Sequence, residues 1–545
     1  MKHSIKGLMI LAASVCAFSA TSNAQTVAVN GVGSSAIFLE LGLAASAATT
    51  ASPAGLGATC VWSTSTNGKV TAIDNSTNGL GKTDTGKAWV AWTPVNGSCS
   101  TVNSSTVIYS YLQTDSVVGD RCVFNGCNVK NTGSGSASAG LILGTANEVA
   151  LAAGVATALN GAGGNGLATN VAGTDIRPED AEFAIARALT PCGTAVAPGS
   201  QYLGLGYNNG DTIDSYYSAS TFNVINFSLP AAFTVTPIGV TPIVVVVNGD
   251  GTTNGFGDPG LSNMTSSTLA NFLDGTINQS QDALVTPQVG SSEPILTIIR
   301  EPLSGTYNTM EYNVPNSQPY KTSQDVGLNQ LAVAANCNGT AVKSNPMNLP
   351  AGPGFRRRAI GTSEELSESI IRTNSLAYAF WSVGNFKGYT AAAAPNAKYL
   401  TIDGVDPIQD AYTGGTIPTT SAQIANVTLS NTLSGSYPIF SALRLVNIGS
   451  SATPAVTNLA TAAQNFAPAS TRPDYIPFAN LKINRSHFIP PAGTGQPTTA
   501  YNGSARACGP TEVGGDVGGV VITKAGDFDY CFNYKNTTGA TNRRK

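Results

Sequence analysis

Histidine is nearly absent from this chain of 545 residues, which contains only His3 and His487. His3 falls in the leader described below, and His487 sits beside "FIPP" with no partner signal around it. A Ser-His-Asp or Cys-His nucleophile therefore has almost nothing to be built from. Charge is scarce too, at 11% of residues, with 28 Lys and Arg against 31 Asp and Glu and a net charge of −3. So mild an acidic balance argues against a nucleic-acid or anionic-membrane partner. No apolar run approaches the roughly 18 residues of a membrane span. Metal spacing is missing as well: no Cys-x2-Cys occurs, and a lone histidine supplies little ligation. The "GKT" at 81–83 lacks the glycine five residues earlier that a phosphate-binding P-loop requires, since position 76 is serine. Catalytic residues, metal and cofactor are all expected to be none.

What is present begins with a leader. Lys2 and Lys6 form a basic start, Leu8 to Ala20 an apolar core, and Ser22-Asn23-Ala24 a small-x-small cleavage site. Residues 1–24 are read as a signal peptide cleaved near Ala24, with the mature chain periplasmic or secreted. Cys16 follows Val15 rather than a small residue, which argues against a lipid anchor. Of nine cysteines, those after the leader are even in number, and export favours disulfides. Pairing near neighbours gives Cys60–Cys99, Cys122–Cys127, Cys192–Cys337 and Cys508–Cys531.

The length calls for two or more lobes. Residues 44–166 are rich in Thr, Ser, Asn and Gly with short runs such as "AWVAW" and "TVIYSYL", which read as short strands and long loops. Beyond Leu167 the pattern alternates strand and helix. Pro178 and the acids after it start a helix running to Leu189. "TPIVVVVN" (241–248) is a strand covered on both faces. A capped helix spans 262–275, "EPILTII" (293–299) is another buried strand, and a helix lies around Glu364–Arg372. This alternation predicts α/β lobes with mostly parallel sheets.

Three stretches carry polar residues where strands give way to helices, the usual ligand-binding edge of such sheets. The first is "GVGSSAIF" (31–38), after the strand "TVAV" and before an apolar helix. Its small residues admit close approach, and Ser34 or Ser35 can cap the helix. A plain helix cap would need no ligand. The second is "AGTDIRP" (172–178), where Asp175 ends a strand; an ordinary turn aspartate would look the same. The third is "IREPLSGTY" (299–307). Here Arg300 supplies a charged fork, Ser304 and Thr306 supply hydroxyls, and Gly305 lets backbone N–H groups reach a ligand.

In this order the stretches resemble the phosphate-binding proteins of phosphate ABC importers. "GVGSSAIF" is similar to that family's Gly-x-Gly-Ala-Thr/Ser loop, "AGTDIRP" to its Ser-Asp-x-Pro segment and "REPLSGT" to its Arg-x3-Ser-Gly-Thr. "VTPIVVVVN" with "LSNMTSSTLANFLDGTI", then "SLAYAFWSVGNF" and "SYPIFSALRLV", resemble its later segments. The likeness spans most of 25–50 and 167–450, is absent from about 50–150, and is weak beyond 450.

The resemblance implies an α/β, two-lobe type 2 periplasmic-binding-protein-like fold with a β-rich insertion at about 44–166. Lobe 1 would comprise 25–240 plus 437–545, and lobe 2 241–436. It further implies a non-enzymatic, monomeric solute-binding protein that takes inorganic phosphate and hands it to an ABC permease. Ser35 would offer a hydroxyl, Ala36 a backbone N–H, and Asp175 a proton-accepting carboxylate. Arg300, Ser304, Gly305 and Thr306 would form the opposite wall, and Ser116, in "YLQTDSVVGDR", is the candidate for the family's serine-loop hydroxyl. The sequence departs from the family by an extra residue and the added Arg177 after Asp175, and by lacking the usual Phe-Pro in the first loop. An interaction protein at the cell surface, on the same fold with an altered or lost anion site, is the alternative. A secreted hydrolase finds no histidine or carboxylate pair to support it.

Overall fold

The computed structural model describes residues 25–64, 83–129, 148–176, 229–273, 294–300, 303–314, 355–359, 361–437 and 439–481, with a few short pieces between them. The leader, the helix expected over 178–189, Arg177, His487 and the pairs Cys192–Cys337 and Cys508–Cys531 lie outside the described residues.

The scaffold is one large mixed sheet. Its strands are β1 (Thr26–Ser34), β2 (Cys60–Ser63), β3 (Ala88–Trp92), β4 (Val107–Thr114), β5 (Val171–Thr174), β6 (Phe233–Asn248), β7 (Leu296–Arg300), β8 (Phe355–Ala359), β9 (Ser375–Phe380), β10 (Ala397–Tyr399), β11 (Phe440–Ile448) and β12 (Ile476–Pro477). Across the sheet the order is β8-β7-β9-β6-β11-β5-β1-β4-β3-β2, with β10 and β12 pairing on β6. The principal helices are α1 (Phe38–Ser46), α2 (Ser116–Asn125), α3 (Ala153–Asn160), α4 (Ser266–Leu273), α5 (Gly305–Asn313), α6 (Thr362–Ile371) and α7 (Pro454–Asn465).

Strand β6 shows why the apolar run "TPIVVVVN" is continuous. Ile243, Val245 and Val247 enter one hydrophobic cluster with Leu269, Tyr307 and Tyr378. Val240, Val244 and Val246 enter another, with Trp381 and Phe386, on the opposite face. Alternate side chains point to opposite faces, so a strand covered twice carries no polar face. Each such buried side chain contributes about 1.5–3 kcal/mol. The strand is longer than "TPIVVVVN", because Phe233 to Pro242 pairs antiparallel with β11. From Ile243 onward the same strand pairs with β9. Both halves of the sheet thus hang on one strand that changes partner between Pro242 and Ile243.

The stretch 44–166 contributes directly to this sheet. β4 is the parallel neighbour of β1, matching Ser34 with Thr114, and β3 and β2 continue outward antiparallel. In β3, Ala88, Val90 and Trp92 face one cluster and Trp89 and Ala91 the other. Disulfides join Cys60 to Cys99 and Cys122 to Cys127, two of the expected near-neighbour pairs. The strand expected to stop at "TVAV" runs on to Ser34, so "GVGS" is strand rather than loop. Its glycines serve close packing: a Cβ on Gly119 would lie 2.8 Å from Gly33 Cα and 3.1 Å from the Gly173 carbonyl. Small residues let β1, β5 and α2 meet there.

Candidate functional site

Strands β1, β4 and β5 run parallel side by side, so the residues following them emerge at one edge. Ser35 follows β1, Asp115 and Ser116 follow β4, and Asp175 follows β5. β11 passes antiparallel beside β5, with Arg444 opposite Thr174, and brings Ser441 to the same edge. From the other half of the sheet, β7 ends at Arg300 and leads into Leu303, Ser304 and α5.

Asp175 stands at the centre and is 1% exposed. The Ser116 hydroxyl donates to Asp175 Oδ1, while the Asp175 backbone N–H donates to Ser116 Oγ at 3.2 Å. Ser441 donates to Asp175 Oδ2 at 3.1 Å. Gly305 packs directly on this pair: a Cβ there would overlap the Asp175 carboxylate and the Ser116 hydroxyl. Only glycine lets the start of α5 come so near. The backbone seals the junction, since the Val117 N–H donates to the Leu303 carbonyl at 3.2 Å.

Arg300 is 2% exposed and uses its planar fork in two directions. Nη1 donates to Thr362 Oγ1 at 2.6 Å, and Nη2 pairs with Asp115 Oδ1 at 3.1 Å. An arginine can hold two such partners in fixed geometry. Ser304 caps α5, accepting the Tyr307 N–H at 3.2 Å, and the helix N-terminus beyond it favours negative charge. Burial, and then the charges of Asp175 and Asp120, push the Tyr111 phenol well above its ordinary range. Its hydroxyl donates to the Ser34 carbonyl at 2.8 Å.

Of the residues singled out from the sequence, Ser116, Asp175 and Gly305 come into direct contact. Arg300 joins them through Asp115, the neighbour of Ser116. Ser304 and Thr306 flank Gly305, and both are buried. Ser35 and Ala36 lie at the same edge, but their bonds are local. The Ala36 N–H donates to Ser34 Oγ at 3.1 Å, and the Ser35 carbonyl takes the Phe38 N–H at 3.4 Å. The helix cap expected from Ser34 or Ser35 is replaced by Ile37, which makes no side-chain cap bond. Three participants went unmarked: Asp115, Thr362 and Ser441. Asp115 was next to a chosen serine, and Thr362 heads a helix visible in the sequence. Ser441 had no local signal.

A buried carboxylate holding two serine hydroxyls, an arginine paired with a second carboxylate, and a helix N-terminus thus meet at one edge of the sheet. A family model described as a PBP superfamily domain matches residues 220–468. That match spans somewhat less than half of the chain, and the fold it falls on is mixed α/β. No curated protein matches the chain in sequence.

Several solved structures resemble it. A protein of Clostridium perfringens assigned as a phosphate ABC transporter substrate-binding protein, with phosphate bound, is 13% identical with a TM-score of 0.26; the match covers 43% of this chain and 65% of that one. An ABC-type phosphate transport receptor of Vibrio cholerae is 13% identical with a TM-score of 0.25, covering 43% and 68%. A phosphate-binding protein of Stenotrophomonas maltophilia is 13% identical with a TM-score of 0.30, covering 78% and 92%. Among the described residues, no helix is long and apolar enough to cross a membrane.

Proposed function

We propose that the chain is an exported, non-enzymatic solute-binding protein that takes inorganic phosphate between its two sheet halves and passes it to an ABC permease. The observation that carries this reading is the meeting of Asp175, Ser116 and Gly305 beside the Arg300–Asp115 pair. In this reading residues 25–240 with 437–545 form one lobe and 241–436 the other. Ser35, Ala36, Ser116 and Asp175 belong to the first wall; Arg300, Ser304, Gly305 and Thr306 belong to the second.

Phosphate near neutral pH carries one or two charges and keeps at least one proton. One arginine, several hydroxyls and backbone N–H groups neutralise it by oriented dipoles, and Asp175 accepts its proton. Sulfate offers no proton there, so its oxygen meets the carboxylate with repulsion alone. Unmatched buried polar groups of this kind give discrimination on the order of 10⁴-fold. Asp175→Asn should therefore narrow the gap between phosphate and sulfate affinity, measured by calorimetry; an unchanged ratio would remove Asp175 from that role. An anion touching both walls stabilises the closed arrangement by its differential affinity for it.

One observation favours a second reading, an interaction protein on the same fold. Both Asp175 oxygens already take serine hydroxyls, and Arg300 already holds Asp115 and Thr362. A malachite-green assay of purified, then denatured protein separates the two. Stoichiometric phosphate supports the transport reading. Absent phosphate, together with no calorimetric binding of added phosphate or sulfate, supports the interaction reading.

A further inference from the structure

We propose that Ser441 is a positioning residue that sets the anion selectivity of the site by fixing the Asp175 carboxylate; this rests on the phosphate reading above. Ser441 is fully buried in β11 between the apolar neighbours Phe440 and Ala442. A hydroxyl at such a place is costly unless it is hydrogen-bonded. Its bond goes to Asp175 Oδ2, across 266 residues of sequence.

The position of Ser441 in the sheet gives this bond its meaning. Ser441 pairs with Thr241 of β6, one step before the last β11 pair, Pro242 with Phe440. At the next residue, Ile243, β6 turns to Phe380 of β9. Thr241 is itself held, its one hydroxyl proton shared between the Trp381 carbonyl at 3.0 Å and the Asp474 carbonyl at 3.1 Å. The carboxylate is thus clamped between Ser116, which heads α2 at the edge of the sheet, and Ser441, on the strand pair that joins the halves. With Oδ1 and Oδ2 each held by a hydroxyl, the carboxylate plane is fixed, and so is the direction from which either oxygen can accept a further proton. A ligand that brings a proton along that direction is matched; one that brings only an oxygen is not.

A purely structural serine would affect all anions alike, so the test reads a ratio. Phosphate and sulfate affinities are measured by calorimetry at one pH for the wild type, Ser441→Ala, Ser441→Thr, Asp175→Asn and the double variant Ser441→Ala/Asp175→Asn. Loss of one hydrogen bond to a charged group should lower the phosphate-to-sulfate ratio about tenfold in Ser441→Ala. Ser441→Thr, which keeps the donor, should restore most of the ratio. In the Asp175→Asn background, Ser441→Ala should leave the ratio where it stands, because coupled residues do not act additively. Should Ser441→Ala fail to fold, Ser441→Cys replaces it with a weaker donor and is expected to lower the ratio. An unchanged ratio, or equal weakening of both anions, overturns the proposal while leaving the phosphate reading intact. A wild-type chain that binds neither anion overturns the phosphate reading and this inference with it.

Discussion

Glu40 on α1 is fully buried, with neither carboxylate oxygen hydrogen-bonded. It points toward β6 at Gly239, where a Cβ would sit 2.6 Å from Oε1 and 3.0 Å from Oε2. Tyr475 lies near it, its hydroxyl donating to the Phe466 carbonyl at 3.0 Å; burial, then Glu40 and Asp474, push that phenol up. Burial likewise pushes the Glu40 carboxyl well above its ordinary 4.5. The folded chain therefore keeps a proton that the unfolded chain releases near 4.5. The stability tied to this proton is fully present below that value and is lost as pH rises through the raised native value. The slope is about 1.4 kcal/mol for each pH unit in that window. Glu40→Gln keeps the side chain's size and a donor but cannot ionise. Urea unfolding of wild type and variant at pH 4.5, 5.5 and 6.5 should show the variant gaining on the wild type as pH rises. Parallel pH profiles for the two proteins would refute this account of Glu40.

Two further expectations concern the proposed anion site. Gly305→Ala places a methyl on the Asp175 carboxylate and the Ser116 hydroxyl, breaking charge-assisted bonds of about 1.5–3 kcal/mol each; calorimetry should show phosphate affinity falling by roughly 100-fold or more, with a lowered melting temperature. Arg300→Lys keeps the charge but cannot reach Thr362 and Asp115 together, and should weaken phosphate binding by about 10–100-fold and lower the melting temperature as well.

Much of this was legible in the sequence, and the physical reason differs by element. The run at 241–248 announced itself because a strand packed on both faces has no polar side to interrupt it. Gly305 and Arg300 were legible because a short loop between strand and helix has a narrow choice of residues. "GVGS" misled, since glycine usually marks loops, while here it marks a strand pressed against Gly173 and Gly119. Ser441 was invisible for a different reason: its partner is 266 residues away, and serine on a strand carries no periodic signal. The capping role of Ser34 failed because its hydroxyl took the Ala36 N–H within a turn, a local competition that sequence pattern does not rank.

The placement of β11 between β5 and β6 bears on how the chain acquires its shape. β1, β4 and β5 are all in hand by residue 174, yet β5 has its second neighbour only when residues 444–446 arrive. Asp175 and Ser116 emerge early, and the Ser441 that completes the carboxylate's bonding comes late. Pairings across so much sequence close slowly, and an unpaired strand edge meanwhile invites wrong partners. Truncations ending before Phe440 should therefore leave an open β5 edge and aggregate, while the full chain refolds through a late step that inserts β11 and joins the two halves of the sheet.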